Sequence, residues 1–151
     1  EFYIIGGEPS AENKQYKEVH NLSNVHFVDF LGKDELREYY NAADLFVLMT
    51  RGDTWGLVIN EAMANGLPVI TTKRCVAGVE LIKDGENGYI IDVDDTEALV
   101  NKILTLRDNE VLCRQMSLAN INKMETNTVD NIVKGHIQVL EELFDETEKT
   151  E

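Results

Sequence analysis

Short apolar runs alternate with segments of helical period along the first two thirds of the chain. The apolar runs predict five β-strands, at residues 2–5, 25–28, 45–49, 67–71 and 88–91. Helices are predicted over residues 10–22 and 33–40, and after residue 56. Strands that alternate with helices are joined by right-handed crossovers, so we predict an α/β fold with a doubly wound parallel sheet.

The last third of the chain is predicted to be helical. Asp94 is the expected cap of one helix, with Glu97 three residues further on. Apolar residues at three- and four-residue spacing over 129–143 form one stripe on a final helix. We therefore expect extra C-terminal helices in a single domain over residues 1–144, followed by an acidic flexible tail over 145–151.

Composition and charge narrow the classes of function. The net charge of −14 argues against nucleic acid and anionic membrane surfaces as partners. It permits a small anionic ligand, because a helix N-terminus can hold a phosphate. Cys75 and Cys113 lack metal-ligand spacing and favour a reducing compartment, so we expect a cytoplasmic protein. No apolar run approaches the length of a transmembrane segment.

Two carboxylates, Asp53 and Glu61, bracket a Trp-Gly turn at the predicted start of a helix. Such carboxylates can act as acid and base, bind a metal, or accept hydrogen bonds from sugar hydroxyls. The turn should present backbone N–H groups where the helix dipole favours an anion, which suits a sugar joined to a phosphate. The alternative is that Asp53 caps the helix and Glu61 is a surface residue, and spacing alone leaves both interpretations open.

Three cations lie in loops that follow apolar strands, at the end of a parallel sheet where ligands bind. These cations are Arg51, Lys73 and Arg74. One of them can assist a phosphate, but solvated surface charge is the favoured interpretation for each.

The segment from Asp53 to Ile70 closely resembles retaining glycosyltransferases of the GT-B fold, family 4 type. It contains Asp53-x(7)-Glu61 with Gly56-Leu57, continued by Ala-Met-Ala-Asn-Gly-Leu-Pro-Val-Ile. Further segments follow the same family's order, at residues 24–27, 33–36, 40–44, 77–80 and 84–88. The resemblance runs from residue 2 to about residue 106. It implies a Rossmann-like sheet that forms the C-terminal half of a GT-B glycosyltransferase.

The resemblance implies that this half binds a nucleotide diphosphate sugar, a UDP- or GDP-sugar, while a separate N-terminal domain binds the acceptor. The parent enzyme would transfer a hexose to a glycan or lipid-linked acceptor in polysaccharide or glycoconjugate biosynthesis. Asp53 is the implied catalytic residue and would hold hydroxyls of the donor sugar, and Glu61 would hold the ribose hydroxyls. No metal or cofactor is expected.

The remaining implied contacts are with the diphosphate and the base. Backbone amides around Trp55, Gly56 and Leu57 would meet the sugar and the diphosphate. Phe30 and Leu31, at the end of the second predicted strand, would line the base pocket. From the residues alone, Trp55 is equally suited to stacking on a ligand and to packing the loop.

The chain departs from the family pattern in two ways. The first acidic residue is usually Glu, whereas Asp53 is one methylene shorter, which bears on the sugar that is held. The family's diphosphate-clamping Arg and Lys lie upstream of Glu1, so we expect a fragment of a longer protein that cannot catalyse transfer alone.

Three other interpretations stay open. Asp92-Val-Asp94 resembles the D-x-D metal motif of the other large glycosyltransferase fold, although capping of the following helix is favoured. The chain can also be a non-catalytic sugar-nucleotide-binding or interaction module. A sugar-nucleotide epimerase fragment is the third possibility and matches the pattern less fully.

Overall fold

The computed structural model describes the backbone of residues 1–148 and the side chains of residues 1–142. The chain divides into two compact units, Glu1–Ala42 and Ala43–Glu151. Strands alternate with helices as far as Arg107, and the strand pairings within the described residues are parallel. The predicted parallel α/β fold is therefore confirmed.

The first unit contains a two-stranded sheet and two helices. Its elements are β1 (Phe2–Ile5), α1 (Ala11–Val19), β2 (Val25–Val28) and α2 (Lys33–Ala42). The Ser10 hydroxyl caps α1 by accepting a hydrogen bond from the Asn13 amide at 3.1 Å. The helix ends three residues before the predicted end, because Asn21 takes a φ of +50° that no α-helix can include.

The second unit contains a three-stranded sheet and five helices within the described residues. Its elements are β3 (Phe46–Leu48), α3 (Leu57–Ala64), β4 (Val69–Thr72), α4 (Val76–Leu81), β5 (Gly88–Ile91), α5 (Thr96–Arg107), α6 (Glu110–Thr126) and α7 (Val129–Glu148). β4 lies between β3 and β5, with Ile70 opposite both Val47 and Tyr89. Pro68 precedes β4, and its carbonyl accepts a hydrogen bond from the Phe46 amide at 3.0 Å.

The predicted helix cap at Asp94 is wrong by one residue. Asp95 caps α5, because its carboxylate accepts a hydrogen bond from the Ala98 amide at 2.9 Å. Asp94 lies outside the helix with a φ of +61°, and its carboxylate binds Arg51 instead. The capping interpretation of the D-x-D pattern therefore fails for Asp94.

The final helix, α7, carries the predicted apolar stripe. The side chains of Ile132, Val133 and Leu140 are each about half exposed, whereas that of Leu143 lies outside the described side chains. The helix includes residues 145–148 of the segment predicted as a tail, and residues 149–151 lie outside the described residues. The flexible tail and the single domain over 1–144 stay predictions. None of the helices in the described part of the chain has the length and hydropathy needed to cross a membrane.

The core of the second unit lies where the sheet meets α5 and α6. Ile70 and Met116 are completely buried, and Tyr89, Ile91 and Leu106 pack with them. All four residues of β4 are buried, as expected for a central strand of a parallel sheet.

A buried pair of asparagine side chains joins α6 to the chain on either side of β4. Asn120 is completely buried and donates to the carbonyls of Leu67 at 2.7 Å and Asn87 at 2.9 Å. It also accepts a hydrogen bond from the Asn87 side chain at 2.8 Å, and Asn87 accepts from the Lys83 amide at 2.7 Å. Buried polar groups are costly to leave unpaired, so these bonds fix α6 beside the start of β4.

We expect Asn120→Ala to lower the free energy of unfolding by about 2–4 kcal/mol, because it leaves buried carbonyls without donors and opens a cavity. Urea denaturation followed by circular dichroism measures this change. Asn122→Ala is the matched control, since Asn122 is exposed on the same helix and its loss should change the free energy by less than about 0.5 kcal/mol. Equal effects of the two substitutions would contradict the role of the buried pair.

Candidate functional site

The carboxyl ends of β3, β4 and β5 open into three loops at one edge of the sheet, the edge where α/β proteins bind ligands. These loops comprise residues 49–56, 73–75 and 92–95. Five of the seven predicted site residues lie on the first loop and the helix that follows it: Asp53, Trp55, Gly56, Leu57 and Glu61. The structure therefore places these five residues on one continuous segment at the carboxyl edge of the sheet.

Gly56 caps α3 without a side chain. Its φ is +93°, and a Cβ at this position would lie 2.6 Å from the sulfur of Cys75, so only glycine fits. Helices α1, α5 and α6 each begin with a capping side chain, whereas α3 and α4 have none. The first amides of a helix have no partner within it, so Leu57 and Val58 offer their N–H groups to an anion.

Asp53 holds the turn that leads to Gly56. Its carboxylate accepts a hydrogen bond from the Trp55 amide at 3.1 Å, and its own amide donates to the Arg74 carbonyl at 3.1 Å. The interpretation of Asp53 as the helix cap is wrong, because Gly56 occupies the cap position. A carboxylate has about four lone-pair sites, so the bond to Trp55 leaves acceptor capacity for a ligand.

Both the side chain and the main chain of Trp55 are hydrogen-bonded. Its indole Nε1 donates to the Asn60 side chain at 2.9 Å, and its carbonyl accepts from the Ala77 amide at 2.7 Å. The Cys75 thiol donates to the same carbonyl at 3.5 Å. The side chain is 38% exposed, so a fixed aromatic ring is accessible at the mouth of the loop.

The exposed face of α3 carries Leu57 and Glu61. The opposite face is buried through Ile59, Ala62 and Met63, which holds the helix against the rest of the unit. Residues four apart lie on the same helix face, so the exposed Glu61 follows Leu57 by one turn on the accessible side.

Ion pairs connect the loops at the carboxyl edge. Arg51 donates from Nη2 to Asp94 at 2.9 Å and from Nε to both carboxylate oxygens, and these hydrogen bonds with the Asp94 charge raise the pKa of Arg51. Lys73 pairs with Asp92 at 2.8 Å. These side chains are exposed, as expected for surface charges, so the pairs contribute little to stability. The main-chain groups of Arg74 bind Thr72 and Asp53.

The D-x-D residues do not form part of a metal cluster in the described part of the chain. No group of three or more His, Cys, Asp or Glu side chains is placed there to hold an ion.

The two residues predicted for a base pocket lie in the first unit. β2 ends at Val28, so Phe30 and Leu31 belong to the loop before α2. Phe30 is 80% exposed, and its ring edge lies 3.3 Å from where a Cβ on Gly7 would be. A pocket of about 220 Å³ opens beside the Gly6-Gly7 turn, and neither Phe30 nor Leu31 is among the residues that line it.

Three residues that hold the turn, Asn60, Cys75 and Ala77, are missing from the predicted site. An amide side chain five residues after Trp55, on a predicted helix, is the one local signal that could identify Asn60. Cys75 and Ala77 contact the turn from about twenty residues further along the chain. Such contacts depend on the pairing of β3 with β4 and are not visible in the local sequence.

Residues 1–109 match the family described as Glycosyl transferases group 1. N-acetyl-alpha-D-glucosaminyl L-malate synthase of Bacillus anthracis is 38% identical over 100 residues, which cover 63% of this chain and 26% of that protein. The chain thus spans about a quarter of the length of this relative.

Two solved structures have the same fold. Sucrose-phosphate synthase of Thermosynechococcus elongatus matches with a TM-score of 0.79 and 25% identity, over 95% of this chain and 38% of that one. HepE of Anabaena, solved in complex with UDP, matches with a TM-score of 0.73 and 25% identity, over 95% and 40%. The chain belongs to the glycosyl transferases group 1 family, and its α/β fold is that of the C-terminal domain of a GT-B glycosyltransferase.

Proposed function

We propose that the chain is the donor-binding domain of a retaining glycosyltransferase of family 4 type, and that it binds a UDP- or GDP-hexose at the start of α3. The observation that carries this proposal is the glycine-capped helix N-terminus between Asp53 and Glu61, at the carboxyl edge of the sheet. This arrangement joins an anion site to two acceptors of hydroxyl hydrogen bonds.

The diphosphate binds at the first turn of α3. The amides of Leu57 and Val58 point out of the helix start, and the helix dipole adds a positive potential there. Gly56 caps the helix without a side chain, so no capping group occupies these amides. The crystal structure of HepE with UDP, a protein of the same fold, supports a nucleotide ligand for this domain.

The donor sugar lies beside Asp53, the proposed catalytic residue. Its carboxylate is oriented by the Trp55 amide and accepts hydrogen bonds from sugar hydroxyls. When the bond from the anomeric carbon to the diphosphate breaks, positive charge develops on the sugar, and a nearby carboxylate stabilises it. The negative charge on the leaving diphosphate is stabilised by the start of α3.

The nucleoside extends along α3 from the diphosphate. Glu61, one turn beyond Leu57 on the exposed face, accepts hydrogen bonds from the ribose hydroxyls. Phe30 and Leu31 line the base pocket, which gives the base apolar surface to pack against.

The parent enzyme transfers the hexose to a glycan or lipid-linked acceptor held by an N-terminal domain, in polysaccharide or glycoconjugate biosynthesis. The greater length of the relatives supports a further domain in the parent. Closure of that domain excludes water from the donor. We propose that the chain alone binds the donor without transferring it, since the acceptor site and the cation clamp belong to other residues. Two free cysteines favour the cytoplasm.

Asp53→Ala and Glu61→Ala should each weaken the binding of UDP-glucose or GDP-mannose by about tenfold, because each removes hydrogen bonds to a charged acceptor. Isothermal titration calorimetry of the 151-residue chain measures both affinities. Glu125→Ala is the control for the change in net charge, since Glu125 is exposed on α6. Its affinity should equal that of the wild type.

Unchanged affinity in both site variants would remove the carboxylates from the proposed site. Failure of the wild type to bind either nucleotide sugar at millimolar concentration would contradict donor binding itself.

Gly56→Ala should abolish nucleotide-sugar binding and lower the free energy of unfolding by roughly 2–4 kcal/mol, since the new Cβ meets Cys75 and the backbone φ is unfavourable for alanine. Gly135→Ala is the matched control, because Gly135 lies within α7 with open space around its Cα, where alanine favours the helix. Calorimetry and urea denaturation check both variants. Binding by Gly56→Ala at wild-type affinity is the result that excludes the start of α3 as the diphosphate site.

A further inference from the structure

Two neighbouring threonines of β4 are buried, and both donate their hydroxyls to main-chain carbonyls on the β3 side. Thr71 is 0% exposed and donates to Leu48, inside β3, at 2.9 Å. Thr72 is 1% exposed and donates to Thr50, in the loop after β3, at 2.6 Å. The two side chains are alike in type and burial, but Thr71 binds a strand and Thr72 binds a loop of the proposed site.

The Thr72 hydroxyl continues the pairing of β3 with β4 beyond the last main-chain register pair. That pair is Leu48 with Thr71, and main-chain pairing between the two segments resumes at the bridge of Asp53 with Cys75. A side-chain bond to the Thr50 carbonyl then holds the departing loop close to β4. The Thr50 hydroxyl in turn accepts a hydrogen bond from the Gly52 amide at 3.1 Å, which fixes the same loop.

Hydrogen bonds connect the Thr72 hydroxyl to the turn before α3. Its oxygen accepts from the Arg74 amide at 3.3 Å, and the Arg74 carbonyl accepts from the Asp53 amide at 3.1 Å. The Asp53 carboxylate then accepts from the Trp55 amide at 3.1 Å. The buried Thr72 hydroxyl therefore contacts both the loop after β3 and the loop after β4, which together hold the turn. Hydrogen bonds in such a series strengthen one another.

We propose that Thr72 is a positioning residue of the donor site, which sets the place of Asp53 and Trp55 by tying the loop after β3 to the loop after β4. This inference rests on the proposed function, since it concerns the same site. Thr72 acts through Arg74 and Asp53, because its own side chain is buried.

The test uses two substitutions of nearly identical shape. Thr72→Val removes the hydroxyl that donates to the loop carbonyl of Thr50. Thr71→Val removes the hydroxyl that donates to the strand carbonyl of Leu48. Both should lower the urea midpoint, because each leaves a carbonyl without its donor. Thr72→Val should also weaken the binding of UDP-glucose by about tenfold, whereas Thr71→Val should bind within about twofold of the wild type. Thr72→Ser keeps the hydroxyl and should restore the affinity.

A second measurement monitors the turn before α3 in the absence of ligand. Amide hydrogen exchange of Asp53 and the NMR signal of the indole N–H of Trp55, the one tryptophan in the sequence, report directly on the position of the turn. We expect Thr72→Val to accelerate the exchange and shift the indole signal, and Thr71→Val to leave both at wild-type values.

Equal responses of the two valine variants in affinity or in the ligand-free signals would overturn the inference. So would a failure of Thr72→Ser to restore them. If the wild type binds no UDP-glucose, the proposed function fails, and the ligand-free signals still decide whether Thr72 positions the turn.

Discussion

The close approach of residues 53–56 to residues 74–77 determines the geometry of the site. Gly56 lies against the Cys75 sulfur with no space for a Cβ, and the Trp55 carbonyl binds the Ala77 amide at 2.7 Å. Because only a glycine with a positive φ fits at position 56, α3 begins without a capping side chain. The first-turn amides remain available for an anion, and Asp53 orients the turn instead of capping the helix.

The same edge shows how an acidic protein can offer a site to an anionic ligand. The net charge is −14, but the interaction with exposed charges more than about 10 Å away is largely screened at moderate ionic strength. Near the site, Arg51 and Lys73 neutralise Asp94 and Asp92. The backbone dipoles at the start of α3 add a local positive potential that favours an anion.

Much of the fold follows from patterns within short segments, whereas the details of the site follow from contacts between distant ones. The five strands and the helix start after Gly56 were predictable, since alternation and turn chemistry are local. The cap of α5 was not, because Asp94 and Asp95 are equivalent in sequence and Arg51, 43 residues away, binds the first of them. The roles of Thr72 and Cys75 likewise depend on strand pairing. The seven candidate site residues came from a family pattern, and Asp53 gained its orienting role from the structure.

Amide chemical shifts of the ¹⁵N-labelled chain, recorded during titration with UDP-glucose, test the central claim most directly. If the diphosphate binds at the glycine-capped start of α3, the largest changes occur at the amides of Gly56, Leu57 and Val58. Saturable binding that leaves these three amides unchanged, with the largest changes at the Gly6-Gly7 turn, would contradict the account.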